Sequence, residues 1–166
     1  ATDISPRAVA LARENVEALG LDDRVDVVEC DLGAGVEQAL LGTFHLVVSN
    51  PPYIPSPALA ELSREVSDYE PALALDGGED GLEVFRRLLV WCAEALAPGG
   101  AFAFELHETC LQDAAQEARE AGYVDIKVTA DLAGRPRVLT GRKQATASLH
   151  DASPCGDGIG PASQLR

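Results

Sequence analysis

The sequence predicts an α/β protein built on a mostly parallel sheet, and three observations carry that reading. Apolar runs at 25–30, 44–49 and 101–106 are too continuous for a sheet with one wet face. Segments with apolar residues at spacings of three and four separate them, as helices covering both faces of such a sheet require. Each run closes on a polar residue, Asp31, Asn50 or Glu105, where an open parallel sheet keeps its ligand-binding side chains.

Taken in order, residues 1–4 form the stub of a strand that ends at Asp3. Ser5 and Pro6 supply an N-cap and a first helical position, after which Val9, Ala12, Val16 and Leu19 share one face until Gly20 stops the helix. Residues 25–30 and 44–49 are expected as two buried strands. Asp80 opens a second helix whose core face is Leu82, Phe85, Leu89, Cys92 and Leu96, ended by Pro98, Gly99 and Gly100. A third buried strand follows at 101–106. Residues 108–121 read as a polar, Ala-rich helix closed by Gly122, residues 123–129 alternate as a strand, and 138–141 form the last one. Beyond 143 the sequence is small, polar and without period. This gives one domain over 1–143 and a disordered tail over 144–166.

Composition narrows the function. The 166 residues, 46% of them apolar, suit a single core. Lys and Arg number 13 against 27 Asp and Glu, and the resulting charge of -14 repels phosphate-rich partners, so direct nucleic-acid binding is disfavoured. No apolar run approaches the roughly 20 residues that cross a bilayer, and no targeting segment is recognisable, so a cytoplasmic protein is expected. Cys30, Cys92, Cys110 and Cys155 stand singly, as buried thiols rather than disulfides or zinc ligands, and no metal site is expected. The chain contains no Met and opens in mid-pattern on Ala-Thr-Asp-Ile-Ser, which reads as a fragment.

The polar strand ends suggest chemistry. A carboxylate at Asp3 could accept from two ribose hydroxyls, or cap the helix that follows. Asp31 could accept from the exocyclic amine of an adenine. Asn50-Pro51-Pro52-Tyr53 is the most specific constellation. A planar NH2 group is a poor nucleophile until both protons are held by acceptors, and the Asn50 side-chain oxygen with the Pro51 carbonyl forms such a pair. The two prolines fix the backbone directions beforehand, and Tyr53 offers a flat face to an amide or base. The competing reading is a plain Pro-Pro turn anchored by Tyr53. Other patterns are set aside. Gly33-Ala34-Gly35 does not complete a dinucleotide fingerprint, and His107-Glu108-Thr109-Cys110 lacks the second His of a zinc helix. Glu79-Asp80 reads as a helix start, and Arg86-Arg87 as a solvated helix face.

These residues resemble a known family. Asp3, Asp31 and the run Val-Val-Ser-Asn-Pro-Pro-Tyr-Ile at 47–54 look like the later motifs of class I S-adenosylmethionine-dependent methyltransferases that modify a planar nitrogen. The stretch Tyr-Glu-Pro-Ala-Leu-Ala-Leu-Asp-Gly-Gly-Glu-Asp-Gly-Leu at 69–82 resembles the protein-(glutamine-N5) methyltransferases that act on peptide chain release factors. Asp-Leu-Ala-Gly-Arg-Pro-Arg at 131–137 resembles their closing segment.

The resemblance covers residues 1–142. It implies a Rossmann-like domain lacking its first strand and Gly-rich loop, so that the Asp3 stub and the strand ending at Asn50 should flank a gap. It also implies transfer of a methyl group from S-adenosylmethionine to the glutamine of the Gly-Gly-Gln loop in a release factor. Asp3 would hold the ribose, Asp31 and Leu32 the adenine, and Asn50, Pro51, Pro52 and Tyr53 the amide, with Asn50 bordering the cofactor as well. The alternatives are an adenine-N6 or guanine-N2 methyltransferase using the same motif, and an inactive fragment.

Overall fold

The computed structural model describes residues 1–61 and 71–145. Its elements run β1 (Thr2–Asp3), α1 (Pro6–Ala18), β2 (Val28–Glu29), β3 (Phe44–Ser49), α2 (Ala72–Leu75), α3 (Glu83–Ala95), β4 (Leu96–Glu105), α4 (Leu111–Glu120), β5 (Val124–Ala130) and β6 (Pro136–Arg142). Tyr69, Glu70, Cys155 and the expected tail from residue 146 lie outside the described residues.

The strands form two sheets. β1 and β2 pair in parallel over two residues, and the other four are ordered β3-β4-β6-β5. β3 runs parallel to β4, while β6 lies antiparallel between β4 and β5. The parallel pairs are thus completed by an antiparallel margin, a common finish to α/β sheets.

The core lies under α3 and α4. Leu82, Phe85, Leu89, Cys92 and Leu96 are all buried, as their spacing predicts, but the helix stops at Ala95 rather than at Pro98, Gly99 and Gly100, and Leu96 with those three residues belongs to β4. Phe102 stacks on Phe104 at 4.7 Å, Phe85 meets Phe104 edge-on, and Tyr123 meets Phe102 edge-on at 5.1 Å. From α4 come Ala114, Ala115 and Ala118, all buried, so small side chains bring that helix close to the sheet. Burial pushes the Cys92 thiol up to about 12, so it stays a neutral packing group. Cys30, Cys92 and Cys110 are free thiols.

Three expectations need correction. Residues 25–30 make only the two-residue β2, and none of them is buried, because β1 is the only strand that pairs with β2 among the described residues. β3 forms as expected but is not buried: Leu46 is 55% exposed and Val48 70%, since this strand has a single ladder, to β4. Leu19, assigned to the core face of α1, is exposed at the helix end, and only Val9 of that helix is buried. The start of α1 does follow its signals, with Ser5 as N-cap accepting from the Ala8 amide and Pro6 in the first turn.

Between the two sheets opens a cleft of about 1570 Å³, lined on one side by β1 and β2 and on the other by β3. It stands where the Asp3 stub and the strand ending at Asn50 were expected to flank a gap.

Candidate functional site

The segment that leaves β3 is gripped by backbone contacts. Asn50 is exposed just past the strand, Pro51 is buried, and Tyr53 is half-buried. The Ile54 amide donates to the Leu75 carbonyl (2.9 Å), the Gly77 amide to the Ile54 carbonyl (2.8 Å) and the Ser56 amide to the Gly78 carbonyl (2.8 Å). A Cβ on Gly77 would lie 2.7 Å from Tyr53 Cα, and one on Gly81 2.5 Å from the Tyr53 carbonyl oxygen. Gly81 also has φ +78°, so no L side chain suits it. Asp76 accepts from Ser56 Oγ (2.6 Å) and the Gly78 amide (3.0 Å), and these bonds hold its carboxyl below the usual carboxylate range. The glycines at 77, 78 and 81 therefore form a cradle for residues 53–56. The Gly-Gly-x-x-Gly spacing at 77–81 is the sequence signal for this cradle.

Tyr53 is anchored from below. Its hydroxyl donates to Glu105 Oε1 (3.3 Å), at the end of β4, and its ring lies 6.3 Å from that of His107. Burial first, then the Glu105 carboxylate, raises the phenol above its ordinary range, while the Arg137 guanidinium opposes them. Arg137 is in turn 3.9 Å from Asp131. Asp131 accepts from the Ala133 and Arg135 amides (both 2.9 Å), which keeps its carboxyl low and closes the turn between β5 and β6. Residues 131–137, singled out in the sequence, thus buttress the motif.

The three polar strand ends face one cleft, which Asp3, Asp31, Leu32, Asn50, Pro51 and Pro52 all line. Asp3 shows the capping role, its Oδ1 accepting from the Ser5 amide (2.8 Å), while its Oδ2 has no hydrogen bond among the described residues. Arg87 Nη2 donates to Asp31 Oδ2, and Asp31 Oδ1 likewise has no partner among the described residues. Leu32 has φ +52°, a left-handed conformation that is costly for a residue with a Cβ.

Arg86 and Arg87 lie on an exposed helix face, as read from the sequence, and each is also paired: Arg86 bridges Asp80 (2.6 Å) and Glu117 (2.7 Å), and Arg87 pairs with Asp31. Asp80 also accepts from the Leu82 amide, as a helix start should. Around the cleft seven carboxylates stand against two arginines, Arg24 and Arg87, among the described residues.

Two parallel strand pairs, an antiparallel margin, and acidic and amide side chains at the carboxyl ends of the strands make up a Rossmann-like α/β fold. A methyltransferase from Pyrococcus furiosus shares the fold, with a TM-score of 0.61 and 24% identity over 86% of this chain and 61% of that one. No protein-family model matches the chain.

By sequence the chain is similar to release factor glutamine methyltransferases. It is 46% identical to that of Bradyrhizobium diazoefficiens and 47% identical to that of Deinococcus radiodurans, in each case over 143 residues and 86% of this chain. The chain spans about half the length of these relatives, 47% and 49%.

Proposed function

We propose that the chain carries the adenosine-facing and acceptor-aligning parts of an S-adenosylmethionine-dependent methyltransferase. Its acceptor would be the glutamine side-chain amide in the Gly-Gly-Gln loop of a peptide chain release factor. The observation that supports this most is the cradle of residues 75–81, which holds residues 53–56 directly after Asn50, Pro51 and Pro52, and these three line a cleft shared with Asp3 and Asp31.

The residues fit the cofactor chemically. Each of the two carboxylates keeps one oxygen without a partner among the described residues, and the surplus of acid around the cleft suits a ligand with a cationic sulfonium and ammonium. When bound, S-adenosylmethionine supplies a methyl group activated by that sulfonium. Asp3 would accept from the ribose hydroxyls, and Asp31 with the Leu32 main chain would meet the adenine edge.

Asn50 Oδ1 and the Pro51 carbonyl would accept hydrogen bonds from the two amide N–H groups of the substrate glutamine, turning its nitrogen lone pair towards the methyl group; the electron pair of the broken carbon–sulfur bond would stay on a neutral thioether, and one amide proton would pass to water. Pro51 and Pro52 keep those acceptors from relaxing, and Tyr53, fixed by Glu105, limits where the amide plane can lie. Positioning is the main contribution such a site makes to an in-line displacement. The acidic cleft weighs against the second reading, an adenine or guanine amino group on a nucleic acid.

The test is tritium transfer from labelled S-adenosylmethionine to a release factor by a protein carrying this chain. Asn50→Ala should lower the rate on the order of 10²-fold, as loss of one aligning hydrogen bond does elsewhere, while leaving cofactor affinity nearly unchanged. Tyr53→Ala should be milder. A release factor whose loop Gln is replaced by Ala should stay unlabelled. Undiminished transfer by Asn50→Ala would refute the aligning role, and preferential labelling of adenine-containing DNA would favour the second reading.

A further inference from the structure

The loop at 31–35 leaves β2, which pairs along only two residues, yet it is held in place by one face of α3. Arg87 and Trp91 are one helical turn apart, so they project from the same side of that helix. Arg87 takes Asp31, as described above. Trp91 takes Gly33: a Cβ there would sit 1.9 Å from the indole Cε2 and 2.2 Å from Nε1, so only a glycine lets the main chain lie against the ring. Between these two contacts Leu32 packs against the core in its left-handed conformation. Its carbonyl accepts from Cys30 Sγ (3.3 Å), and the Ala34 amide closes a turn onto the Asp31 carbonyl (3.0 Å). A non-glycine residue keeps such a backbone only where its surroundings dictate it, and here the residues on either side are both clamped.

We propose that Arg87 and Trp91 are positioning residues for a base-binding loop, setting the Asp31 carboxylate and the Leu32 main chain to face a purine with an exocyclic amine. Arg87 binds one carboxylate oxygen and thereby orients the other, Oδ1, as the acceptor for that amine. Trp91 fixes the loop's distance from α3. The glycines at 33 and 35, which form no dinucleotide fingerprint, have their use here. The proposal rests on the cofactor reading above, and it extends that reading to two helix residues which act through the loop they hold.

Trp91 is the chain's single tryptophan, so its emission reports on this loop directly. The experiment titrates the chain with adenosine and with inosine, which differ at the exocyclic position, exciting the indole beyond the nucleoside absorption. Adenosine should bind about tenfold more tightly than inosine, the usual worth of one hydrogen bond to a charged acceptor. Arg87→Met, which keeps the aliphatic stem, should bring the ratio to within about twofold while shifting the melting temperature little, because the exposed ion pair contributes little to folding. Arg87→Lys should restore part of the preference, a rescue that a merely structural role would not produce. If Asp31→Asn removes the preference and Arg87→Met keeps it, the positioning role is overturned and the cofactor reading survives. If the native chain shows no preference, or if Asp31→Asn keeps it, the adenine assignment itself falls and the proposal with it. No emission change up to millimolar nucleoside would also overturn the proposal.

Discussion

β4 has a partner strand on each edge and a helix layer over one face, whereas β2 meets β1 along two residues and no other strand among the described residues. Both come from sequence of similar apolar character. Phe102, Phe104 and Leu139 of the larger sheet are fully buried, while Val25, Val27 and Val28 all keep some exposure. The helices divide the same way: α3 buries five residues and α4 four, but α1 buries Val9 alone. Apolar content is therefore not what makes a core. Burial needs a second surface, and each Å² that finds one contributes about 25 cal/mol. β3 is the intermediate case, with Val47 packed against the core and Leu46 and Val48 turned out to the cleft.

The contrast breaks most directly by truncation. Phe102→Ala removes a ring that touches Phe104, Tyr123 and the close-passing Gly141, and it should cost about 3–5 kcal/mol. That is a large part of the roughly 5–15 kcal/mol that holds a domain together. Val28→Ala should cost under about 1 kcal/mol, because that side chain is already partly in water. Urea midpoints of the two variants decide it. Equal losses would mean that the β1 and β2 unit is as tightly built as the rest.

A pair of glycines sharpens the comparison with a smaller effect. Gly20, after α1, and Gly81, in the cradle, both have positive φ, +63° and +78°. A Cβ on Gly20 meets nothing within 4 Å, whereas one on Gly81 meets the Tyr53 carbonyl at 2.5 Å. Gly20→Ala should cost about 1 kcal/mol, the left-handed penalty by itself. Gly81→Ala adds a backbone clash and should cost roughly 2 kcal/mol or more, and it should also impair methyl transfer by shifting Tyr53. Loss of stability in Gly81→Ala with transfer intact would show that the cradle does not set the acceptor motif.

What could be read from the sequence followed from local rules. The N-cap at Ser5, the core face of α3, the existence of a strand over 101–105 and the position of Asn50 at a strand end each depend on a few neighbouring residues. What could not be read depended on partners distant in the chain. Whether residues 44–49 are buried turns on how many ladders β3 has, and an apolar run looks the same with one ladder or two. The pairing of Arg87 with Asp31 spans 56 positions, and that of Tyr53 with Glu105 spans 52. The glycines of 77–81 were visible, but the chain segment they make room for was not.

Acid should produce the smallest effect, and it acts on the better-packed region. Asp80 accepts from Arg86 and from the Leu82 amide, and the Arg86 bond leads in holding its carboxyl below the ordinary value near 3.9. A group depressed in this way binds its proton less readily in the folded chain than in the unfolded one. Its contribution is therefore complete above about pH 4 and is lost as the pH falls further, through the folded value. Asp76 and Asp131 are depressed as well and act with the same sign, and all three belong to the part of the chain after β3. The Arg86 and Asp80 side chains are 45% and 51% exposed, so the pair contributes less than about 1 kcal/mol. Asp80→Asn keeps an oxygen for the Leu82 amide and removes the charge, so the variant isolates the ion pair. Measured by urea unfolding at pH 5 and at pH 3, the native chain should lose slightly more stability than Asp80→Asn. The excess should shrink in 1 M salt, where the Debye length is about 3 Å. An equal or steeper loss in the variant would mean that the carboxylate adds nothing to the packed region, and that its hold on the helix start comes from the amide bond alone.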